Sequence, residues 1–105
     1  MIKAARAGVK NSLLFDNGDL LQGSPVGDFV ANGLPLQPGL VHPAYIALNA
    51  LGMDAVNIGN HDFNSELPFL RQAIAGAVFP CVSVNVPIDD GDGNPDNDLH
   101  ASRPT

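Results

Sequence analysis

The chain has 105 residues, 45% of them hydrophobic, with 11 Gly and 9 Pro, which suits one small loop-rich domain, or a piece of a larger one, around a packed core. Its single cysteine, Cys81, excludes an internal disulfide or a cysteine zinc cluster; no run reaches the ~20 apolar residues that cross a bilayer, and residues 1–10 lack the apolar stretch of a signal peptide. The net charge of −6 is concentrated in Asp89, Asp90, Asp92, Asp96 and Asp98, and the few cations with one Tyr and no Trp argue against polymeric nucleic acid, leaving a small phosphate ester open as a partner.

Ile2 to Ala7 is expected to form a short helix stopped at Gly8. Ser12-Leu13-Leu14-Phe15 is an apolar run of strand length, ended by the turn-forming Asp16-Asn17-Gly18-Asp19. Pro25 to Ala31 suits a helix with Ser24 as N-cap and Pro25 in its first turn. Residues 32–39, with two Gly and two Pro, read as a loop. Pro43 to Leu51 is a stronger helix, ending at Gly52 and setting Ile46, Ala47 and Ala50 near one face. Asp54 to Ile58 is a second strand, broken by Gly59-Asn60-His61-Asp62. Ser65 to Ala75 is a third long helix, capped by Ser65, with Pro68 in its first turn and Leu67, Leu70 and Ile74 at helical spacing; Gly76 closes it. Val78 to Val86 is a buried strand despite Pro80.

This order of strands and helices predicts an α/β fold, a layered sandwich built on a mostly parallel sheet with flanking helices. Residues 1–86 are assigned to it. Residues 87–105 are expected to be an acidic, poorly ordered tail. Asp90, Asp92, Asn94 and Asp96 imitate the alternating ligands of a calcium loop. Pro95 stands where that loop needs Gly, however, and Ala101 where it needs Glu.

Two polar clusters hold equivalent positions. Asp16-Asn17-Gly18-Asp19 follows the first strand and Gly59-Asn60-His61-Asp62 the second, and ligands of open α/β sheets bind outside the carboxyl ends of the strands. If those strands are neighbours, Asp19, Asn60 and His61 converge, with Gly18 and Gly59 allowing sharp turns. Plainer readings exist for each part. Asn-Gly-Asp is ordinary turn chemistry, a lone His between strand and helix is commonly a surface or capping group, and Asp62 suits a helix N-terminus. Cys81, in a Val-rich strand without a basic neighbour, reads as a small buried residue and not a nucleophile.

Leu14-Phe15-Asp16-Asn17-Gly18-Asp19-Leu20-Leu21-Gln22-Gly23-Ser24-Pro25 and Asn57-Ile58-Gly59-Asn60-His61-Asp62-Phe63-Asn64 resemble the second and third blocks of the calcineurin-like metallophosphoesterases. More narrowly they resemble the 5'-nucleotidase branch, and within it the bifunctional 2',3'-cyclic-nucleotide 2'-phosphodiesterase/3'-nucleotidases. Val41-His42-Pro43-Ala44-Tyr45 and Ala73-Ile74-Ala75-Gly76-Ala77 fit that subfamily, so the resemblance covers residues 2–86. It implies a site with two divalent metal ions of undetermined identity (Mn, Zn, Fe or Co). Asp19 would bridge the metals and Asn60 would bind one through its amide oxygen. His61 would be catalytic, facing the scissile phosphate. Asp62 and Asn64 would orient it from behind, Asn64 standing where many 5'-nucleotidases carry an aspartate. The substrate would be a small nucleotide and the parent enzyme periplasmic or on the cell surface.

Such chemistry has a physical logic. A phosphodiester is anionic and repels hydroxide, so two cations ~3.5–4 Å apart both neutralise it and acidify a bound water. A neutral Asn ligand preserves the positive field that a carboxylate would weaken, and a histidine donates a proton near neutral pH. The family's earlier Asp-x-His block and later Gly-His-x-His block are not found here. The expectation is therefore a fragment, inactive alone, of a phosphoesterase acting on cyclic nucleotides and 3'-nucleotides. The alternatives are a piece of a 5'-nucleotidase or UDP-sugar hydrolase, or a non-catalytic remnant or binding module.

Overall fold

A computed structural model describes residues 1–33, 36–83 and 86. The predicted tail at 87–105, its calcium-like pattern and residues 84–85 of the third predicted strand lie outside the described residues. Seven elements follow in order: α1 (Ile2–Ala7), β1 (Phe15–Asp16), α2 (Pro25–Asn32), α3 (Pro43–Leu51), β2 (Ala55–Asn57), α4 (Leu67–Ile74) and β3 (Cys81–Val82), with a 3₁₀ turn at Asn60–Ser65 between β2 and α4. The sheet runs β1-β2-β3 and is parallel throughout, a partial α/β fold as predicted. Its strands are neighbours in chain order, so the loops leaving β1 and β2 emerge side by side.

The strands are shorter than their apolar runs. At the entry to β1, Leu14 donates its N–H to the Asp54 carboxylate, while Asp54 donates its own N–H back to the Leu14 carbonyl. A side chain therefore stands in for the ladder there, and Leu13 remains 71% exposed. Pro80 has no N–H to give, and Val78 donates instead to the Asn49 side chain of α3. Pairing of β3 begins only past the proline, with Val56 donating to the Pro80 carbonyl.

Register decides which face is covered. Asp16, Val56 and Cys81 are aligned across the three strands, as are Phe15 with Ala55 and Asn57 with Val82. Neighbours in register share a face. Val56, Ile58 and Cys81 join Leu21, Tyr45 and Leu48 of α3, Leu70, Ala73 and Ile74 of α4, and Phe79 in one core. The opposite face presents Phe15 and Val82 to solvent, 62% and 42% exposed. Among the described residues, both long helices that join the core pack on one side.

Three helices begin and end close to where the sequence places them. Ser24 caps α2, its hydroxyl accepting from the Gly27 N–H at 3.0 Å, and Gly52 closes α3 in the left-handed conformation, φ +69°. Arg6 of α1 reaches that end, donating to the carbonyls of Leu51 and Gly52 and lying 3.7 Å from the Asp54 carboxylate. Packing selects the buried face of α3, and the expected cap of α4 is corrected. The core face of α3 is Tyr45 and Leu48, whereas Ile46, Ala47 and Ala50 face solvent; the helix is apolar on nearly every side, so its own pattern does not select a direction. Ser65 does not cap α4 but ends the 3₁₀ turn, and Glu66, at φ +68°, takes the N-cap position.

Candidate functional site

The loop leaving β1 reverses at once. The Asp16 carboxylate accepts the Gly18 N–H at 2.9 Å, and Gly18 and Asp19 follow at φ +93° and +60°. Gly adopts the left-handed region freely because it has no Cβ, and Asp, with its short polar side chain, is among the few other residues that visit it. Room matters as much as φ, because a Cβ on Gly18 would stand 2.4 Å from the Gly59 nitrogen. The reversal lays the Asp19 carboxylate against the backbone leaving β2.

There it meets Gly59. The backbone at this residue is extended, φ −84°, which any amino acid adopts, so the expectation of a sharp glycine turn is corrected. What glycine supplies is clearance: a Cβ would lie 2.2 Å from Asp19 Oδ1. Just beyond, the His61 N–H donates to Asp19 Oδ1 at 2.9 Å. The two loops are joined more firmly by Asp62, which is 3% exposed. Its Oδ2 accepts from the Asp19 and Gly59 N–H groups and its Oδ1 from Leu21, each at 2.9 Å. A charged acceptor taking three backbone donors is among the stronger hydrogen-bond arrangements a fold can make. Asp62 thus sets the backbone that carries Asp19, and its oxygens are engaged there and not on the His61 ring.

Two clefts meet at Asp19. One, of about 550 Å³, is lined by Asn17, Asp19, Asn57, Gly59, Asn60 and Phe63 among others. The second, of about 360 Å³, is lined by Asp19, Gln22, Gly23, Asp28, His61 and Asn64. Asp19 and Asn60 therefore share one rim, with His61 on the other side of the same carboxylate. Asn64 Nδ2 lies 3.1 Å from His61 Nδ1 and donates to Gln22 Oε1. Gln22, Asn17 and Asn57 were missed by the sequence reading; the signal available was their place within the two blocks that supply Asp19 and Asn60.

The donor chemistry at this rim fits a divalent metal in part. A carboxylate and an amide oxygen are hard ligands on one wall, and glycine keeps the wall thin beside them. Among the described residues no group of three or more His, Cys, Asp or Glu side chains gathers, so these two donors would need partners from elsewhere.

Away from the rim, His42 is fully buried between the rings of Tyr45 and Phe69, both edge-on at 6.4 and 5.9 Å. Its Nδ1 accepts the Ala44 N–H at the start of α3, while Nε2 has no partner among the described residues. Burial holds this imidazole below its ordinary pKa. Cys81 is 4% exposed, and burial pushes its thiol and the Tyr45 phenol up. A protonated, enclosed thiol is a poor nucleophile. No described helix is long and apolar enough to cross a membrane.

The sequence matches no protein-family model. It is 55% identical over 86 residues to the 2',3'-cyclic-nucleotide 2'-phosphodiesterase/3'-nucleotidase of Salmonella typhimurium, covering 82% of this chain and 13% of that protein. It is 50% identical over 95 residues to the enzyme of the same name from Yersinia enterocolitica, covering 90% and 14%. The crystal structure of the calcineurin-like phosphoesterase YfkN from Bacillus subtilis superposes with a TM-score of 0.78 at 40% identity, over 89% of this chain and 29% of that one. The chain belongs to the calcineurin-like phosphoesterases. Within them it is similar to the 2',3'-cyclic-nucleotide 2'-phosphodiesterase/3'-nucleotidases, of whose length it spans 13% and 14% in the two relatives above.

Proposed function

We propose that residues 1–86 supply part of the catalytic domain of a dinuclear-metal phosphoesterase that hydrolyses 2',3'-cyclic nucleotides and then 3'-nucleotides. One observation carries the reading: Asp19 Oδ1 accepts the His61 N–H, which brings the two family blocks to one rim at the carboxyl ends of adjacent parallel strands. The names of the relatives support the substrate class. In this reading Asp19 and Asn60 hold divalent metal ions, whose chemistry is to offset the phosphate charge and to acidify water. Asp19 anchors from a backbone that Asp62 fixes. Asn60 contributes oxygen without further negative charge. His61 faces the phosphate from the neighbouring cleft and gives a hydrogen bond or proton to a phosphoryl or leaving oxygen, with Asn64 behind its ring. Among the described residues Asp19 and Asn60 are the two metal ligands this reading assigns, and the 105-residue chain by itself is proposed to be inactive.

The test uses a longer polypeptide that contains this segment. Asp19→Ala and Asn60→Ala are expected to lower bound metal, measured by elemental analysis. His61→Ala is expected to keep the metals and lose at least ~10²-fold in kcat on a 2',3'-cyclic nucleotide. Loss of metal in His61→Ala would make that residue a ligand and overturn its role. Preference for 5'-nucleotides over cyclic and 3'-nucleotides would assign the chain to the 5'-nucleotidase reading instead.

A further inference from the structure

Gln22 lies on the loop after β1, three residues beyond Asp19, and its carbonyl oxygen accepts from Asn64 Nδ2. That same nitrogen stands 3.1 Å from His61 Nδ1. A carboxamide nitrogen carries two hydrogens, so one Asn64 amide can serve both partners at once. We infer that Gln22 is a positioning residue: by accepting from Asn64 it turns the N–H side of that amide toward His61, so that Nδ1 accepts and the hydrogen of the neutral ring resides on Nε2. The hydrogen-bearing Nε2 is then the ring nitrogen left for a ligand of the cleft that Asp19, Gln22, Asp28, His61 and Asn64 line.

The three side chains are arranged for this by firmly held backbone. Leu21, next to Gln22, is 1% exposed and donates its N–H to the buried Asp62 carboxylate. The His61 N–H is tied to Asp19 and Asn64 belongs to the 3₁₀ turn that continues from it. Polarity is what Gln22 contributes. An aspartate at position 64 would demand a hydrogen on Nδ1, whereas an asparagine serves either nitrogen state, and its orientation must be set by a further group. In this structure the group facing the Asn64 amide is the Gln22 carbonyl oxygen. The importance of this for phosphate chemistry rests on the function proposed above; the state of the ring does not.

The experiment records long-range proton–nitrogen spectra of the 105-residue chain labelled with nitrogen-15 in its histidines, above the pH range of imidazole titration, with His61→Ala to assign the signals. The expected result is His61 with its hydrogen on Nε2 and Nδ1 accepting a hydrogen bond. Gln22→Glu keeps an acceptor at this position and is expected to leave that pattern unchanged. Gln22→Lys offers only a donor; Asn64 then turns its oxygen inward and the hydrogen moves to Nδ1. Gln22→Leu is expected to return the ring to the mixture of free imidazole. The buried His42 signals are expected to stay in place in all three variants. A wild-type ring with its hydrogen on Nδ1, or averaged as in free imidazole, overturns the proposal. So do ring signals indifferent to the polarity of residue 22, or His42 signals that move with them. The spectra read the relay without any turnover, so a failed nucleotide assay and a failed relay are separate results.

Discussion

The carboxylate of Asp62 takes three N–H groups from two loops that are 43 residues apart at Asp19 and 41 at Leu21. Removing it in Asp62→Ala leaves these donors without their partner, at a cost of about 3 kcal/mol, measured as a lower urea midpoint. Gly59→Ala acts on the same junction by another route. Its methyl group would stand 2.2 Å from Asp19 Oδ1, so the carboxylate must move, and metal retention in the longer protein is expected to fall even where the fold survives. His42 gives a pH signature. Burial lowers its pKa in the folded chain from 6.5, so the unfolded chain binds the proton more readily. The stability that the neutral ring contributes is therefore complete above pH 6.5 and declines as pH falls below it. Protonation at Nδ1 would also remove the acceptor that caps α3. His42→Asn keeps a capping acceptor without a titrating ring, and its denaturant midpoint is expected to change less than wild type's between pH about 6.5 and 5.

At the scale of elements, α3 shows how little local pattern says about direction. Its apolar residues lie nearly all round, and tertiary packing selects Tyr45 and Leu48 as the buried side. Tyr45 stacks on Phe79 with ring centroids 6.0 Å apart, joining α3 to the segment that enters β3. Tyr45→Ala is expected to cost about 3–5 kcal/mol, whereas Ile46→Ala, at an exposed position, is expected to cost within about 0.5 kcal/mol; paired denaturation curves separate the two faces. Strand extents were misjudged for a related reason. Apolar runs mark what is to be buried, but backbone pairing starts where donors and acceptors are free to meet, after the Asp54 side-chain bridge at β1 and after Pro80 at β3.

For the molecule as a whole, the sheet is covered on one side only by the described helices. Phe15 and Val82 lie on the other face, and β1 has one edge without a strand partner among the described residues. An open edge beside an apolar face favours pairing with other chains. The 105-residue chain is expected to associate as its concentration rises, and Phe15→Ser with Val82→Ser to reduce this, both measured by sedimentation. A concentration-independent monomer with a sharp, high-temperature melt would contradict the expectation of a marginal fold.

Some of this protein was decided by short-range chemistry and is legible along the chain. Ser24, Pro25, Pro43 and Gly52 set helix ends because caps and fixed dihedrals act within a few residues, and Gly18-Asp19 announces a reversal for the same reason. The pairing of two polar blocks at successive strand ends was also readable, since the alternation of strand and helix implies parallel neighbours. The tertiary structure alone decided the rest. Which face of α3 is buried, that Gly59 serves clearance rather than turning, that Asp62 grips the backbone of Asp19, and that Gln22 reaches Asn64 all depend on contacts between residues far apart in sequence. Such contacts exist only once the sheet has brought the two loops together, because hydrogen bonds and steric exclusion act over a few ångströms of space, whatever the separation along the chain.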